Sequence, residues 1–253
     1  MSAGPLSTAA PHPGARHADP HPGPLISIIV PVLDEAARIA SLLEHIAALP
    51  GRWEAIVADG ASDDGTRELA GAHPSRPRVI ECPRGRAKQM NAAADVATGE
   101  ALLFLHADTR LPIGAYASLA GALADPGVSG GNFALRFDGA DCFSALLGRW
   151  YAVQRRAGIY YGDSGIWLRA VTFRRLGGFA PLAIMEDYDL VRRLERSGRT
   201  RCLPGPAFTS ARRWKQLGLP RTIFSWVAIR WLYLAGVSPR RLARLYPHAR
   251  QGR

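Results

Sequence analysis

Apolar residues in this chain gather into short dense runs, separated by stretches in which they recur every three or four positions. Ile26-Ser27-Ile28-Ile29-Val30-Pro31-Val32 is β-branched almost throughout and predicts a buried strand. Beyond it, Ile39, Leu42, Leu43 and Ile46 keep helical spacing within 36–49. The alternation then repeats. Strands are predicted over 53–58, 78–82 and 101–105, and a helix opens at Ser62-Asp63-Asp64-Gly65-Thr66. Further helices are predicted over 86–97 and 113–124. Strands alternating with helices of this length mean crossover units and a mostly parallel sheet, the α/β class.

After Pro126 the pattern changes. A strand is expected over 130–137, a helix over Cys142–Arg156, and a turn at Gly162-Asp163-Ser164-Gly165 leading into a strand over Ile166–Arg169. A charged amphipathic helix runs over 185–196, and an extended segment follows over 201–208. Residues 219–246 are apolar and aromatic, interrupted by Arg230 and flanked by further arginines. The organisation expected is a disordered tail over 1–24, one domain over 25–215, and a helical, basic extension over 216–253.

In an open α/β sheet, ligands bind beyond the carboxyl ends of the strands. Three of the predicted strand ends carry acid: Asp34-Glu35, Asp59 and Asp108. A carboxylate there can accept from a base or ribose, ligate a hard cation, or act as a base. Asp34 and Glu35 can equally be helix-start charges facing the dipole of the following helix. Arg86 and Lys88 follow Gly85 at a helix start, where two cations and free N–H groups make an anion site.

Composition narrows the reading. The 253 residues hold 32 Lys+Arg against 21 Asp+Glu, a net charge of +11, and such a field attracts polyanions. Nucleic acid is not expected as a partner, because ordered acids at strand ends repel phosphate unless metal intervenes. Cys82, Cys142 and Cys202 are odd in number and widely spaced, which fits neither a disulfide framework nor a zinc site and points to a reducing, cytoplasmic setting. No apolar run reaches the length of a transmembrane helix. Aromatic and basic residues mixed over 219–246 fit a helix lying in a membrane interface, peripheral on the inner face of the cell membrane. A helix packed on the core is the competing arrangement.

Several motifs in order resemble the family 2 glycosyltransferases of the GT-A fold. Ile28 to Glu35 is similar to that family's opening strand, and Val57-Ala58-Asp59-Gly60-Ala61-Ser62-Asp63-Asp64-Gly65-Thr66 to its VDDGSxDGT segment. His106-Ala107-Asp108 stands where the family has its metal-binding DxD, and Glu186-Asp187 where it has an ED pair. Leu105-His106-Ala107-Asp108-Thr109 and Gly85 to Asn91 resemble a compact bacterial subgroup. The resemblance implies a Rossmann-like sheet flanked by helices, and an inverting, non-processive transfer of sugar from a nucleotide-diphosphate donor.

The resemblance also implies roles. Pro31, Asp34, Glu35 and Asp59 would surround the nucleotide, with Arg86 and Lys88 at its phosphates. Asp108, with His106, would hold Mn²⁺ or Mg²⁺, although imidazole suits Mg²⁺ poorly. Asp187 would be the general base, with Glu186 beside it and Asp189 the competing candidate. Gly162 to Gly165 would line the acceptor side. Arg213-Trp214 resembles the family's RW element, and Ser210 stands where processive synthases have Gln. The acceptor is unknown, with a lipid-like one suggested by the extension. The alternatives are a nucleotidyltransferase that makes nucleotide sugars, and a GT-A binding module that has lost catalysis.

Overall fold

The computed structural model describes residues 23–138, 142–210 and 219–245. The β-branched run folds as β1 (Ile26–Val32), and the first amphipathic stretch as α1 (Ala36–Ala48). The alternation continues through β2 (Trp53–Asp59), α2 (Thr66–Gly71), β3 (Arg78–Glu81), α3 (Arg86–Val96) and β4 (Ala101–Phe104). A two-residue β5 (Thr109–Arg110) leads to α4 (Ala115–Leu123), the long β6 (Val128–Phe137) and α5 (Cys142–Arg156). A single 3₁₀ turn (Gly162–Ser164) precedes β7 (Ile166–Arg169) and α6 (Ala170–Arg175). Then come α7 (Glu186–Ser197), β8 (Arg199–Thr209), α8 (Leu219–Leu234) and α9 (Pro239–Leu245).

All eight strands form one sheet in the order β3-β2-β1-β4-β7-β6-β8-β5. β3, β2, β1 and β4 are parallel, as crossover helices require. Antiparallel pairing enters where β7 joins β4 and β6, and again between β5 and β8, whereas β6 and β8 are parallel. The sheet is therefore mixed, with parallel neighbours in the majority. Helices cover both faces. Ile39, Leu42, Leu43 and Ile46 of α1 pack against Ile28, Val30 and Leu103 on one side. On the other, Met90, Ala93 and Ala94 of α3 meet Ile29, Ile56 and Phe104.

One buried polar side chain ties the parallel strands together where the site begins. Gln89 of α3 is 3% exposed, and its Nε2 donates to the carbonyls of Val32 (2.7 Å) and Ala58 (2.9 Å) at the ends of β1 and β2. Gln89→Leu strands buried acceptors and should cost about 1–3 kcal/mol. In a chain of this size that lowers the melting temperature by about 2–4 °C per kcal/mol. A thermal scan in which the variant melts with the wild type would remove this strand-end tie.

Candidate functional site

The carboxyl ends of β1, β2 and β4 open on one side of the sheet, and the loops there are held by a polar lattice rather than by packing. After β1 the chain turns through Asp34, whose φ of 54° is left-handed and strained for a non-glycine residue. The three free N–H groups that follow are each taken by the loop after β2. Asp34 N donates to Ser62 Oγ (3.0 Å), Glu35 N to Thr66 Oγ1 (2.8 Å) and Ala36 N to Asp64 Oδ2 (2.9 Å). In return, Asp34 Oδ1 accepts from Asp63 N (3.0 Å). Asp59 is 1% exposed, and its carboxylate accepts from both the N–H and the hydroxyl of Ser62. Glu35 pairs with Arg38 one turn along α1. Much of this acidic motif therefore serves to lock two loops together.

The second half of the site gathers around one guanidinium. Arg86 opens α3 after Gly85, whose φ of 127° suits glycine. Its Nε lies 3.4 Å from Glu186 Oε1, and its Nη2 donates to His106 Nε2. Because guanidinium only donates, Nε2 accepts and Nδ1 carries the ring proton, facing Asp163 Oδ1 at 3.1 Å. Both ring nitrogens of His106 are thus engaged, which leaves neither open to a metal in this arrangement. The contact needs a glycine opposite: a Cβ on Gly162 would sit 2.6 Å from His106 Nε2.

Glu186 and Asp187 begin α7 directly after Met185, a second strained residue with φ of 68°. Asn91 and Arg193 brace the preceding loop. Asn91 bonds reciprocally with the backbone of Phe179, and Arg193 donates to the carbonyls of Leu176 and Gly178. Asp187 Oδ2 accepts from Gly162 N (2.9 Å) and Oδ1 from Tyr188 N (2.7 Å), so its carboxylate is fixed toward the 3₁₀ turn. Asp189 faces elsewhere, ion-paired to Arg193 (2.7 Å) and bonded by the Tyr233 hydroxyl (3.1 Å).

Electrostatics follow from the crowding. Desolvation works against the charge of Arg86, but Glu186, Asp187, Asp163 and Asp108 together outweigh it and raise its pKa. Burial pushes Glu186 up, Arg86 opposes that shift, and Asp187 adds to it. Desolvation also lifts the Tyr161 hydroxyl to about 12, with Arg230 opposing and Asp187 reinforcing. A carboxylate whose folded pKa is raised confers stability that is complete below its unfolded pKa and is lost as pH rises through the folded one. Glu186→Gln should therefore gain melting temperature over wild type at pH 8 but not at pH 4. An equal difference at both values would remove Glu186 as the source.

Asp108 lies half-buried in the turn between β4 and β5, and among the described residues no group hydrogen-bonds its carboxylate. A free hard oxygen beside a guanidinium ringed by acids suits a divalent cation whose other ligands come from phosphate. Among the described residues no three His, Cys, Asp or Glu side chains are grouped as a ready-made metal site. Lys88 is exposed on the first turn of α3, and Pro31 is half-buried in β1. Arg213 and Trp214 lie outside the described residues. Gln89, Asn91 and Tyr161 are contributors to which pattern reading gave no role. Gln89 and Asn91 carried a signal, since both stand in the motif from Gly85 to Asn91, whereas Tyr161 carried none.

The family described as "Glycosyl transferase family 2" matches residues 27–173. A PGL/p-HBAD biosynthesis glycosyltransferase of Mycobacterium bovis is 37% identical over 94 residues, covering 35% of this chain and 37% of that protein. A dodecaprenyl-phosphate galacturonate synthase of Rhizobium johnstonii is 31% identical over 93 residues, covering 33% and 28%. The matches thus span only 37% and 28% of those relatives' lengths. A mannosyltransferase of Pyrobaculum calidifontis, solved with GDP-Man and Mn²⁺, superposes with a TM-score of 0.59 at 27% identity, covering 76% of this chain and 58% of that one.

Proposed function

The chain belongs to glycosyl transferase family 2 and is a glycosyltransferase, and on that premise we propose that it moves a single sugar, with inversion, from a nucleotide-diphosphate donor to a lipid-like acceptor. The observation that carries this reading is the set of acids around Arg86: Glu186 Oε1 lies 3.4 Å from its Nε, Asp163 reaches it through His106, and Asp187 and Asp108 act on its charge. Residues from the turn after β4, the 3₁₀ turn and α7, far apart in sequence, meet beyond the ends of parallel strands, where α/β sheets bind ligands.

Each part has a task. Pro31 in β1, Asp59 at the end of β2, and Asp34 and Glu35 in the loop after β1 form the nucleotide side. Arg86 and Lys88 form the phosphate side, with His106 and Asp163 setting the guanidinium's orientation. Four carboxylates around one guanidinium repel a diphosphate, so the donor needs a cation to enter. A Mn²⁺ or Mg²⁺ ion held by Asp108 would offset the phosphates' charge and improve the leaving group. The Mn²⁺ of the Pyrobaculum structure supports that assignment. Asp187, held rigid by two N–H donors, takes the acceptor's hydroxyl proton as that oxygen attacks the anomeric carbon. One base and one displacement invert the centre. The name of the Rhizobium relative, a dodecaprenyl-phosphate galacturonate synthase, supports a lipid-like acceptor.

Calorimetric titration of UDP, GDP and their sugar conjugates, with Mn²⁺ and with EDTA, tests the donor half. Saturable binding of one nucleotide only in the presence of metal is expected. Absence of binding to every nucleotide under both conditions would overturn it.

A further inference from the structure

Among the described residues, exposed apolar side chains gather on two helices beside the site. α8 packs inward through Trp226, Ile229 and Tyr233, which meet Tyr161, Tyr188 and Leu242. Its outer stripe is left bare: Phe224 is 75% exposed, Trp231 63% and Leu234 41%. Alongside, α5 presents Leu146 (61%), Trp150 (42%) and Val153 (59%). Trp150 and Val227 both line the groove between the helices, so the two stripes form one continuous surface. Three exposed aromatic rings gathered with aliphatic side chains on one face differ from the singly scattered apolar residues of an ordinary surface.

The charge around it is of one sign. Every charged residue on α5, α8 and α9 is an arginine. Arg149 and Arg156 stand exposed beside the α5 stripe, and Arg240, Arg241 and Arg244 are exposed on α9. A second copy docking through a two-fold axis would set these arginines against each other, because such an interface pairs a patch with itself. An acidic, apolar-cored layer matches both features at once. Among the described residues no helix is long and apolar enough to cross a membrane, so the contact is with a surface.

We propose that the α5–α8 face, rimmed by arginines, docks on an anionic lipid bilayer. Its inner side sits against the site: Tyr233 bonds Asp189, and Trp226 packs on Tyr161, which precedes the Gly162 amide holding Asp187. One helix, roughly 10–12 Å thick, separates the docked face from the general base. That distance suits an acceptor anchored in the layer and reaching past α8. The bearing on function rests on the lipid-like acceptor proposed above, whereas docking can be measured without any acceptor.

The test is sedimentation of the full chain with vesicles of phosphatidylcholine alone or mixed with phosphatidylglycerol, at low salt and at about 0.5 M salt. Binding to the anionic vesicles, weakened by salt, is expected. Phe224→Glu with Trp231→Glu should weaken it about tenfold or more, since two aromatic anchors are replaced by charges that the anionic surface repels. Unchanged nucleotide affinity and circular dichroism would show that the variant is folded. The proposal is overturned if wild type ignores anionic vesicles or if the double variant binds as well. It is equally overturned if ultracentrifugation finds a dimer that the variant abolishes, which would make the face a self-interface. Loss of nucleotide binding in wild type would strike the donor assignment and leave docking untouched.

Discussion

Asp187→Asn is expected to lower turnover by about a hundred- to ten-thousand-fold, the range a general base supplies, while nucleotide affinity stays within about twofold of wild type. The expectation follows from what surrounds the carboxylate. Gly162 N and Tyr188 N point their hydrogens at its two oxygens, so the group is pinned and keeps lone pairs for a third proton. An amide retains the size but cannot take that proton. It also turns an NH₂ toward one of the two N–H donors, at a local cost of about 1 kcal/mol. Asp189→Asn is the matched control. Its target is already spent on Arg193 and Tyr233, so it should affect melting more than turnover. If Asp189→Asn abolished transfer and Asp187→Asn did not, the base would have to be reassigned to the second carboxylate.

That contrast between neighbouring acids shows where sequence reading stops. The strands β1, β2 and β4 and the helices α1 and α3 were legible because each buries a dense apolar run or a set at helical spacing, a local property. β5 was not, since two residues carry no period and exist as a strand only through Thr209 and Phe208 of β8. Nor was α6, six residues directly continuing β7. In the site, residue types were legible and their division of labour was not. Ser62, Asp64 and Thr66 read as oxygens at the opening of a helix, yet they also satisfy N–H groups about thirty residues away. His106 read as a metal ligand because of its place beside Asp108. Its partners, Asp163 and Arg86, meet it only through the fold. Partnerships between distant residues leave no local pattern.

The same partnerships sharpen the expectation for the metal. In Asp108→Ala the nucleoside diphosphate should bind no better with Mn²⁺ than with EDTA, a loss of about a hundredfold or more. Even groups that only support a metal ligand cost 10–100-fold when removed. Asp108 is the candidate because its carboxylate is half-buried, unbonded among the described residues, and close enough to act on the charges of Arg86 and Arg110. Without it, only Arg86 and Lys88 are left to face a donor that Asp163, Glu186 and Asp187 repel. His106→Asn separates the two halves of the motif. Removing the ring frees Arg86 from its acceptor, so affinity should fall while Mn²⁺ still improves binding. If His106→Asn abolished the metal response as fully as Asp108→Ala, the imidazole would have to leave Arg86 and turn to the ion when donor binds.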